Sequence, residues 1–220
     1  MTKAWHHRDP EAVARDTAAV RRAYPHLHFL PDDEHINIQG GFPVTLDGMI
    51  LDRFRLSATV PGEYPKAVPV VRETGGRIPW DRDRHIEPDG KACLFLEEER
   101  GVYFPVGAPL LDFFRGPVNS FFLGQLYFEE FGTWPFGQRA HGRAGIIEFY
   151  AEKLGTADLR TIIAAVEYLQ HGEIKGHWPC PCGNGKRLRD CHMPQLAALR
   201  RTVSPEVARR CYANLRAGPP

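Results

Sequence analysis

The first third of the chain changes from a helical to a strand-like pattern of apolar residues. After Asp9 and Pro10, apolar side chains recur at helical spacing as far as Tyr24, which predicts an amphipathic helix with Asp9 as its N-cap. From Phe54 to Val60 apolar and polar residues alternate, as in a strand with one buried face. Strand-like runs lie at residues 35–39, 42–46, 50–60 and 68–72. A helix followed by an antiparallel meander predicts an α+β fold.

The second half of the chain has a mainly helical pattern. Helices are predicted at residues 110–131, 143–153 and 156–170 and from Ser204 onwards. Gly116-Pro117 predicts a kink or a start in the first of these helices, and Thr156 is the expected cap of the third. Residues 73–109 are rich in Gly, Pro and charge, which predicts a long loop. Loops of this length in folded domains commonly carry function.

Composition and charge narrow the class of protein. Of 220 residues, 43% are hydrophobic and 25% charged, and the 21 Gly and 19 Pro are too few for a mainly disordered chain. The formal net charge is +1, but residues 183–220 carry eight Lys/Arg against two Asp/Glu. This basic tail favours an acidic partner, a protein or a nucleic acid, whereas the alternative is a solvated helix face. The tail lacks the interleaved aromatic residues of stacking platforms, which argues against nucleic acid.

Two absences set the compartment that we expect. No apolar run approaches the roughly 18 residues of a membrane span, and the first nine residues lack the apolar stretch of a secretory signal. We therefore expect a cytoplasmic protein with no membrane partner. Cysteines rarely form disulfides in that compartment. Of the five cysteines, Cys93 stands alone and three others lie within twelve residues, a spacing typical of a metal site.

Three thiols and an imidazole make up this cysteine cluster: Cys180, Cys182, Cys191 and His192. Zinc prefers four nitrogen or sulfur ligands, and a closed set of four is structural rather than catalytic. Free or redox-active thiols are the alternative. The run Cys-Pro-Cys-Gly-Asn-Gly-Lys, followed by Cys-His, resembles the SEC-C zinc module of bacterial proteins. The resemblance implies that these four residues hold a structural Zn²⁺ and support a small surface that binds another protein. The alternative is that the motif only stabilises the tail of the chain.

Cys93 follows a polar loop that contains Arg84, His85 and Lys91. Neighbouring cations favour the thiolate, so these residues are expected to lower the pKa of the thiol. A lone cysteine is more commonly a small buried apolar residue, and that reading stays open here.

The segments around Cys93 resemble the ubiquitin-conjugating enzymes, whose UBC fold has an N-terminal helix, a four-stranded antiparallel meander, a long active-site loop and C-terminal helices. The family's Tyr-Pro-x-x-x-Pro-x-Val matches residues 64–71, starting at Tyr64, and its Gly-x-x-Cys-Leu matches residues 90–94. Its apolar crossover helix matches Leu110–Leu126. The resemblance spans roughly residues 9–155 and implies that Cys93 is the catalytic cysteine.

The resemblance implies a complete reaction. Cys93 would accept a ubiquitin-like modifier as a thioester from a ubiquitin-activating-enzyme-like protein and pass it to an amine of a protein target. The family's His-Pro-Asn tripeptide is replaced by Asp83-Arg84-His85, so that His85 falls at the Asn position. His85 then donates a hydrogen bond to the oxyanion, acts as a general base, or only braces the loop. Bacterial relatives belong to conjugation systems that include anti-phage defence, which is an implied context.

The predicted organisation has four parts. They are a UBC-like conjugating domain at residues 1–155, a helix and linker at 156–176, the SEC-C zinc-binding motif at 177–193, and a basic helical tail at 194–220. The alternative to an enzyme is a catalytically inactive UBC-fold adaptor that binds proteins through the zinc motif and the tail. Retention of Cys93 in the family's Gly-x-x-Cys-Leu frame favours the enzyme.

Overall fold

The computed structural model describes residues 4–135, 140 and 142–217 of the chain. The chain forms two units, each with its own apolar core. The first unit comprises Met1–Phe95 and Tyr103–Gly137, and the second comprises Leu96–Val102 and Gln138–Pro220. The chain therefore enters the second unit twice, first as a short inner segment and then for the whole C-terminal part.

The first unit begins with two helices and a four-stranded antiparallel sheet in the order β1-β2-β3-β4. These elements are α1 Trp5–Arg8, α2 Pro10–Ala23, β1 Leu27–Pro31, β2 Ile36–Leu46, β3 Met49–Val60 and β4 Val70–Glu73. Asp9 caps α2 as predicted, since its carboxylate accepts the N–H of Ala12 at 3.0 Å. The predicted α+β fold with an antiparallel meander is confirmed.

Two strand predictions were wrong in detail. The runs predicted at 35–39 and 42–46 form one strand, β2, and β1 was not predicted because prolines flank its short sequence. Gly40 explains the continuity of β2: it pairs with Leu27 at φ 146°, and a Cβ there would lie 1.9 Å from the carbonyl oxygen of His26. Glycine at this position therefore admits the neighbouring strand instead of breaking β2.

The helical part of the first unit lies against the sheet. The short α3, Arg100–Tyr103, comes earlier in the chain and belongs mainly to the second unit. The helical part of the first unit contains α4 Leu110–Phe113, a wide turn at Phe114–Val118 and α5 Asn119–Phe131. The wide turn contains Pro117, whose missing N–H interrupts the hydrogen-bond ladder, so the predicted kink is confirmed. The ring of Phe122 stacks on Phe54 of β3 at 4.6 Å between centroids, which fixes α5 on the sheet.

The second unit contains the remaining helices: α6 Gly142–Leu154, α7 Leu159–Leu169, α8 Met193–Thr202 and α9 Pro205–Arg216. α6 belongs here because Phe149, Tyr150 and Leu154 are buried in the core of this unit. The division of the chain into two compact units thus lies before α6. Ser204 caps α9 as predicted, with its hydroxyl accepting the N–H of Val207.

The cap of α7 is Asp158 and not the predicted Thr156. The Asp158 carboxylate accepts hydrogen bonds from the N–H of Arg160 and from the N–H and hydroxyl of Thr161, the last at 2.6 Å. Thr156 supports the cap instead, since its hydroxyl accepts the N–H of Asp158 at 3.2 Å. Both residues are good caps, and only the folded backbone distinguishes them.

This cap predicts a pH-dependent contribution to stability. Hydrogen bonds from the Thr161 hydroxyl and N–H hold the pKa of Asp158 below its usual value of 3.8. A lowered carboxyl pKa stabilises the fold above the unfolded pKa, and the contribution is lost as the pH falls through the folded pKa. The unfolding temperature of the wild type should exceed that of Asp158→Asn by the same amount from about pH 7 down to about pH 4. Between about pH 4 and about pH 2.5 this difference should shrink. A margin independent of pH would contradict the assignment.

Among the described residues, none of the helices combines the length and apolar character needed to cross a membrane.

Candidate functional site

Cys93 lies at the end of a tight loop in the first unit. Residues 85–93 fold back on themselves: Ile86 and Ala92 form an antiparallel bridge, and the N–H of Cys93 donates to the carbonyl oxygen of His85 at 2.8 Å. Within the loop, Glu87 N–H donates to Lys91 O, also at 2.8 Å. The structure therefore places the two residues predicted as catalytic directly opposite each other, joined by a backbone hydrogen bond.

The loop is attached to the sheet and shaped by one glycine. Ala92 N–H donates to Val71 O of β4 at 2.8 Å, so the residue before Cys93 extends from the sheet edge. Gly90 has φ 80°, and a Cβ there would lie 2.7 Å from the indole ring of Trp80. The glycine of the Gly-x-x-Cys frame is thus required both for its backbone conformation and for the approach of Trp80.

His85 is held in an uncommon conformation for a residue with a side chain. Its φ is 53°, in the left-handed region. Its imidazole meets the ring of Trp134 edge to face at 4.4 Å between centroids. Trp134 is oriented in turn by its indole N–H, which donates to the carbonyl oxygen of Asp83 at 2.9 Å. The left-handed backbone at His85 and the ring of Trp134 together fix the position of the imidazole.

Gln125 is a residue of this site that the sequence reasoning missed. It is fully buried on α5, and its amide contacts Arg84 twice. Gln125 Nε2 donates to Arg84 O at 2.7 Å, and Gln125 Oε1 accepts from Arg84 Nε at 2.9 Å. The Arg84 guanidinium also lies over the ring of Phe128, 4.7 Å from its centroid. The only sequence signal was an isolated amide in a strongly apolar helical run.

The candidate metal centre lies in the second unit, between α7 and α8. Its ligand atoms come from the predicted residues, Cys180, Cys182, Cys191 and His192, and all lie within 4.8 Å of one another. Cys182 Sγ is 3.4 Å from Cys180 Sγ and 3.7 Å from Cys191 Sγ. His192 Nδ1 is 3.2 Å from the sulfur atoms of both Cys180 and Cys191. All four predicted ligands are therefore brought together.

A local fold of the chain produces this cluster. Pro179 and Arg187 form a bridge, and Cys180 N–H donates to Lys186 O at 2.9 Å, so the chain reverses between them. Gly183 and Gly185 make the reversal at φ 70° and 78°, in the left-handed region that glycine adopts without strain. As a result, Cys180 and Cys182 face Cys191 and His192.

The donor set fits a tetrahedral ion. Zn–S bonds of about 2.3 Å and a Zn–N bond of about 2.05 Å give tetrahedron edges of about 3.8 Å between sulfurs and about 3.6 Å between sulfur and nitrogen. The observed separations of 3.2–3.7 Å approach these edges. Asn184 Nδ2 also donates to Cys191 Sγ at 3.2 Å, the kind of outer hydrogen bond that supports a thiolate ligand. The four residues are placed to hold a metal ion, and zinc is compatible with them.

Burial affects the ionisation of Cys180, one of the four candidate ligands. It raises the pKa of the Cys180 thiol to about 11. This thiol must therefore lose its proton as the ion binds, which is the ordinary coupling of metal binding to proton release.

Comparison with known proteins returned no match: neither a known protein family, nor a curated protein, nor a solved structure matches this chain.

Proposed function

We propose that this chain is a conjugating enzyme that carries a ubiquitin-like modifier as a thioester on Cys93. The observation that carries the proposal is the Cys93 loop: Cys93 lies half-buried within the Gly-x-x-Cys-Leu frame, and its backbone N–H donates to the carbonyl oxygen of His85. Support also comes from the order of elements, in which an N-terminal helix and a four-stranded antiparallel meander precede this loop.

The first step loads Cys93. The Cys93 thiolate attacks the carbonyl carbon of the modifier's C-terminus, which a ubiquitin-activating-enzyme-like protein holds as a thioester. The new C–S bond forms as the donor's C–S bond breaks, and the donor sulfur leaves as a thiolate. Thiolates suit this exchange because they are good nucleophiles and good leaving groups. No charge is created or lost overall.

The second step transfers the modifier to a target amine. The neutral amine attacks the thioester carbonyl, an oxyanion forms, and its collapse releases the Cys93 thiolate and leaves an amide. The amine nitrogen loses one proton in this step. We assign His85 one of two tasks in this step: its ring N–H donates to the oxyanion, or its neutral ring nitrogen accepts the amine proton.

The metal centre has a structural task in this proposal. A closed set of three cysteines and one histidine leaves no open position for a substrate, so a zinc ion there supplies fold stability and no chemistry. The ordered knuckle and the positive charge of residues 183–220 then provide a surface for a protein partner, the activating-enzyme-like protein or the target.

Thioester charging tests the proposal. The probes are a ubiquitin-activating-enzyme homologue and a small ubiquitin-like protein that ends in glycine, incubated with this chain and ATP and resolved on a non-reducing gel. The wild type should give a band of modifier mass that thiol reagents remove. Cys93→Ser should convert this band to a thiol-resistant ester, and Cys93→Ala should abolish it. Glu167→Gln, which changes an exposed side chain of α7, is the control and should charge normally.

His85 variants separate its possible tasks. Loss of the oxyanion donor should slow transfer to amines by roughly 100-fold or more in His85→Ala, and His85→Asn should restore part of it. If the imidazole is instead the base, His85→Asn should be as slow as His85→Ala. If the activating enzyme is active but no thiol-sensitive band forms, the proposed conjugating activity is contradicted. The inactive UBC-fold adaptor is then favoured.

A further inference from the structure

The loop that carries His85 is held by α5 and by Trp134, three residues after the end of that helix. All of these residues belong to the first unit. Gln125 of α5 binds Arg84 through the two hydrogen bonds described above. Trp134 contacts both neighbours of Arg84, because its indole N–H donates to the carbonyl oxygen of Asp83 and its ring meets the His85 imidazole. Each residue of the tripeptide 83–85 therefore has a partner on α5 or just after it.

Trp134 is seated against α5 by a glycine. A Cβ on Gly124 would lie 2.5 Å from Cζ3 of the indole, well inside contact distance. The indole also meets the ring of Phe128, one turn further along α5, at 5.6 Å between centroids. Glycine is a poorer helix former than alanine, so the helix itself gives no reason for a glycine at this buried position. The glycine is required because it admits the indole.

The indole thus joins the helix to the loop. Gly124 and Phe128 contact it from α5, and Asp83 and His85 contact it from the loop. The backbone of His85 has φ 53°, a conformation that a residue with a side chain keeps only where its surroundings hold it. Loss of the indole would therefore release both the carbonyl two residues before His85 and the imidazole itself.

We propose that Trp134 is a positioning residue of the transfer step, which acts by holding the His85 imidazole, and that Gly124 serves the same task by admitting the indole. The inference rests on the proposed function, because His85 has its task only when the modifier is passed to an amine. It adds two residues that lie outside the sequence frame around Cys93. Loading of Cys93 does not use His85, so the two half-reactions should respond differently to changes at Trp134.

Proton NMR of His85 reads the position of the imidazole without any modifier. An aromatic ring shifts the resonances of protons beside it, and the His85 resonance is assigned by its loss in His85→Gln. The spectra are taken at about pH 9, so that histidine protonation does not contribute. Trp134→Leu should shift the His85 resonance, and Trp134→Phe, which keeps a ring, should shift it less. His35, which pairs with Asp32 in the same unit, should keep its resonance.

Two glycines provide a matched pair of variants. Gly124→Ala leaves Trp134 in the chain but forces its ring to move, so it should shift the His85 resonance as Trp134→Leu does. Gly116 lies in the wide turn that leads into α5, and a Cβ there would have no other heavy atom packed against it within 4 Å. Gly116→Ala should therefore leave the His85 resonance unchanged.

The kinetic test separates the two half-reactions. Cys93 is loaded with the modifier and then chased with free lysine in a single turnover. Trp134→Leu should slow transfer at saturating lysine about 10- to 100-fold, because a displacement of about 1 Å at a reacting group costs up to about this much. Loading should stay within about twofold of the wild type, and Trp134→Phe should restore part of the transfer rate. In a His85→Ala background, Trp134→Leu should add no further loss, since the group that it positions is absent.

The outcomes distinguish this inference from the proposed function. An unchanged His85 resonance in Trp134→Leu and Gly124→Ala overturns the positioning role even if the wild type loads and transfers normally. Equal slowing with and without His85, or equal slowing of loading and transfer, also overturns it, because a merely structural Trp134 would act in that way. A shift in both variants and not in Gly116→Ala supports the claim about position even if no charging is seen. If Trp134→Leu does not fold, Trp134→Phe and Gly124→Ala decide the same question.

Discussion

Cys191→Ser is expected to lose the bound metal and the ordered knuckle of the second unit. The thiol of Cys191 is one of four donors that converge within 4.8 Å, and serine is a poor zinc ligand. Structural zinc contributes about 10–16 kcal/mol of apparent binding free energy in small zinc-binding peptides. Losing even about 3 kcal/mol would lower the unfolding temperature of a unit of this size by roughly 10–20 °C.

The physical reason is the small amount of apolar surface in the knuckle itself. Between Pro179 and His192 only Cys180 and Leu188 are buried, so the remaining residues are held by hydrogen bonds and the ion. Without the ion, the thiols at 3.4–3.7 Å have no common partner that holds them together. The turn would open, and Leu188 would leave the core that it shares with α8.

Metal content and thermal unfolding with and without a chelator measure this effect. The wild type should hold one zinc per chain, and cobalt in its place should show the absorption of a tetrahedral thiolate complex. Cys93→Ser is the matched control, because it removes a thiol outside the cluster and should retain one metal per chain. Full metal content in Cys191→Ser, or the same unfolding temperature with chelator, would contradict the metal centre.

Gln125→Leu is expected to destabilise the first unit by about 2–4 kcal/mol. The substitution keeps the size of the side chain but leaves the Arg84 carbonyl and Nε without their partners. Each polar group left unpaired in the interior costs about 1–3 kcal/mol. The effect should reach Cys93, because Arg84 precedes His85, whose carbonyl oxygen accepts the Cys93 N–H.

Denaturant unfolding measures the loss of stability, and alkylation of Cys93 measures the change at the thiol. Gln125→Glu should be intermediate, since a carboxylate still accepts from Arg84 Nε but no longer donates to Arg84 O. Glu130→Gln changes an exposed residue of the same helix and should stay within about 0.5 kcal/mol of the wild type. Wild-type stability in Gln125→Leu would contradict the assigned contact.

Features decided by neighbouring residues were predictable from the sequence. The caps Asp9 and Ser204 and the kink at Pro117 depend on side chains within one turn of the backbone groups that they affect. Prediction was wrong where two local signals competed. Thr156 and Asp158 are both good caps, and Asp158 caps α7. A glycine such as Gly40 can end a strand or admit a neighbouring strand, and here it admits one. The outcome then depends on what packs nearby, which the local sequence does not contain.

The same distinction divides the candidate site. Cys180 to His192 span thirteen residues, and His85 lies eight residues before Cys93, so short turns alone bring these groups together and their spacing was informative. The bond between Gln125 and Arg84 joins residues 41 positions apart, and that between Cys211 and Glu98 joins residues 113 apart. Only the packing of α5 on the sheet and of α9 in the second core brings these distant polar groups to one place. The sequence by itself determined which reactive side chains lie close together around Cys93 and in the candidate metal centre, and the tertiary structure decided which distant polar groups pair in the interior of each unit.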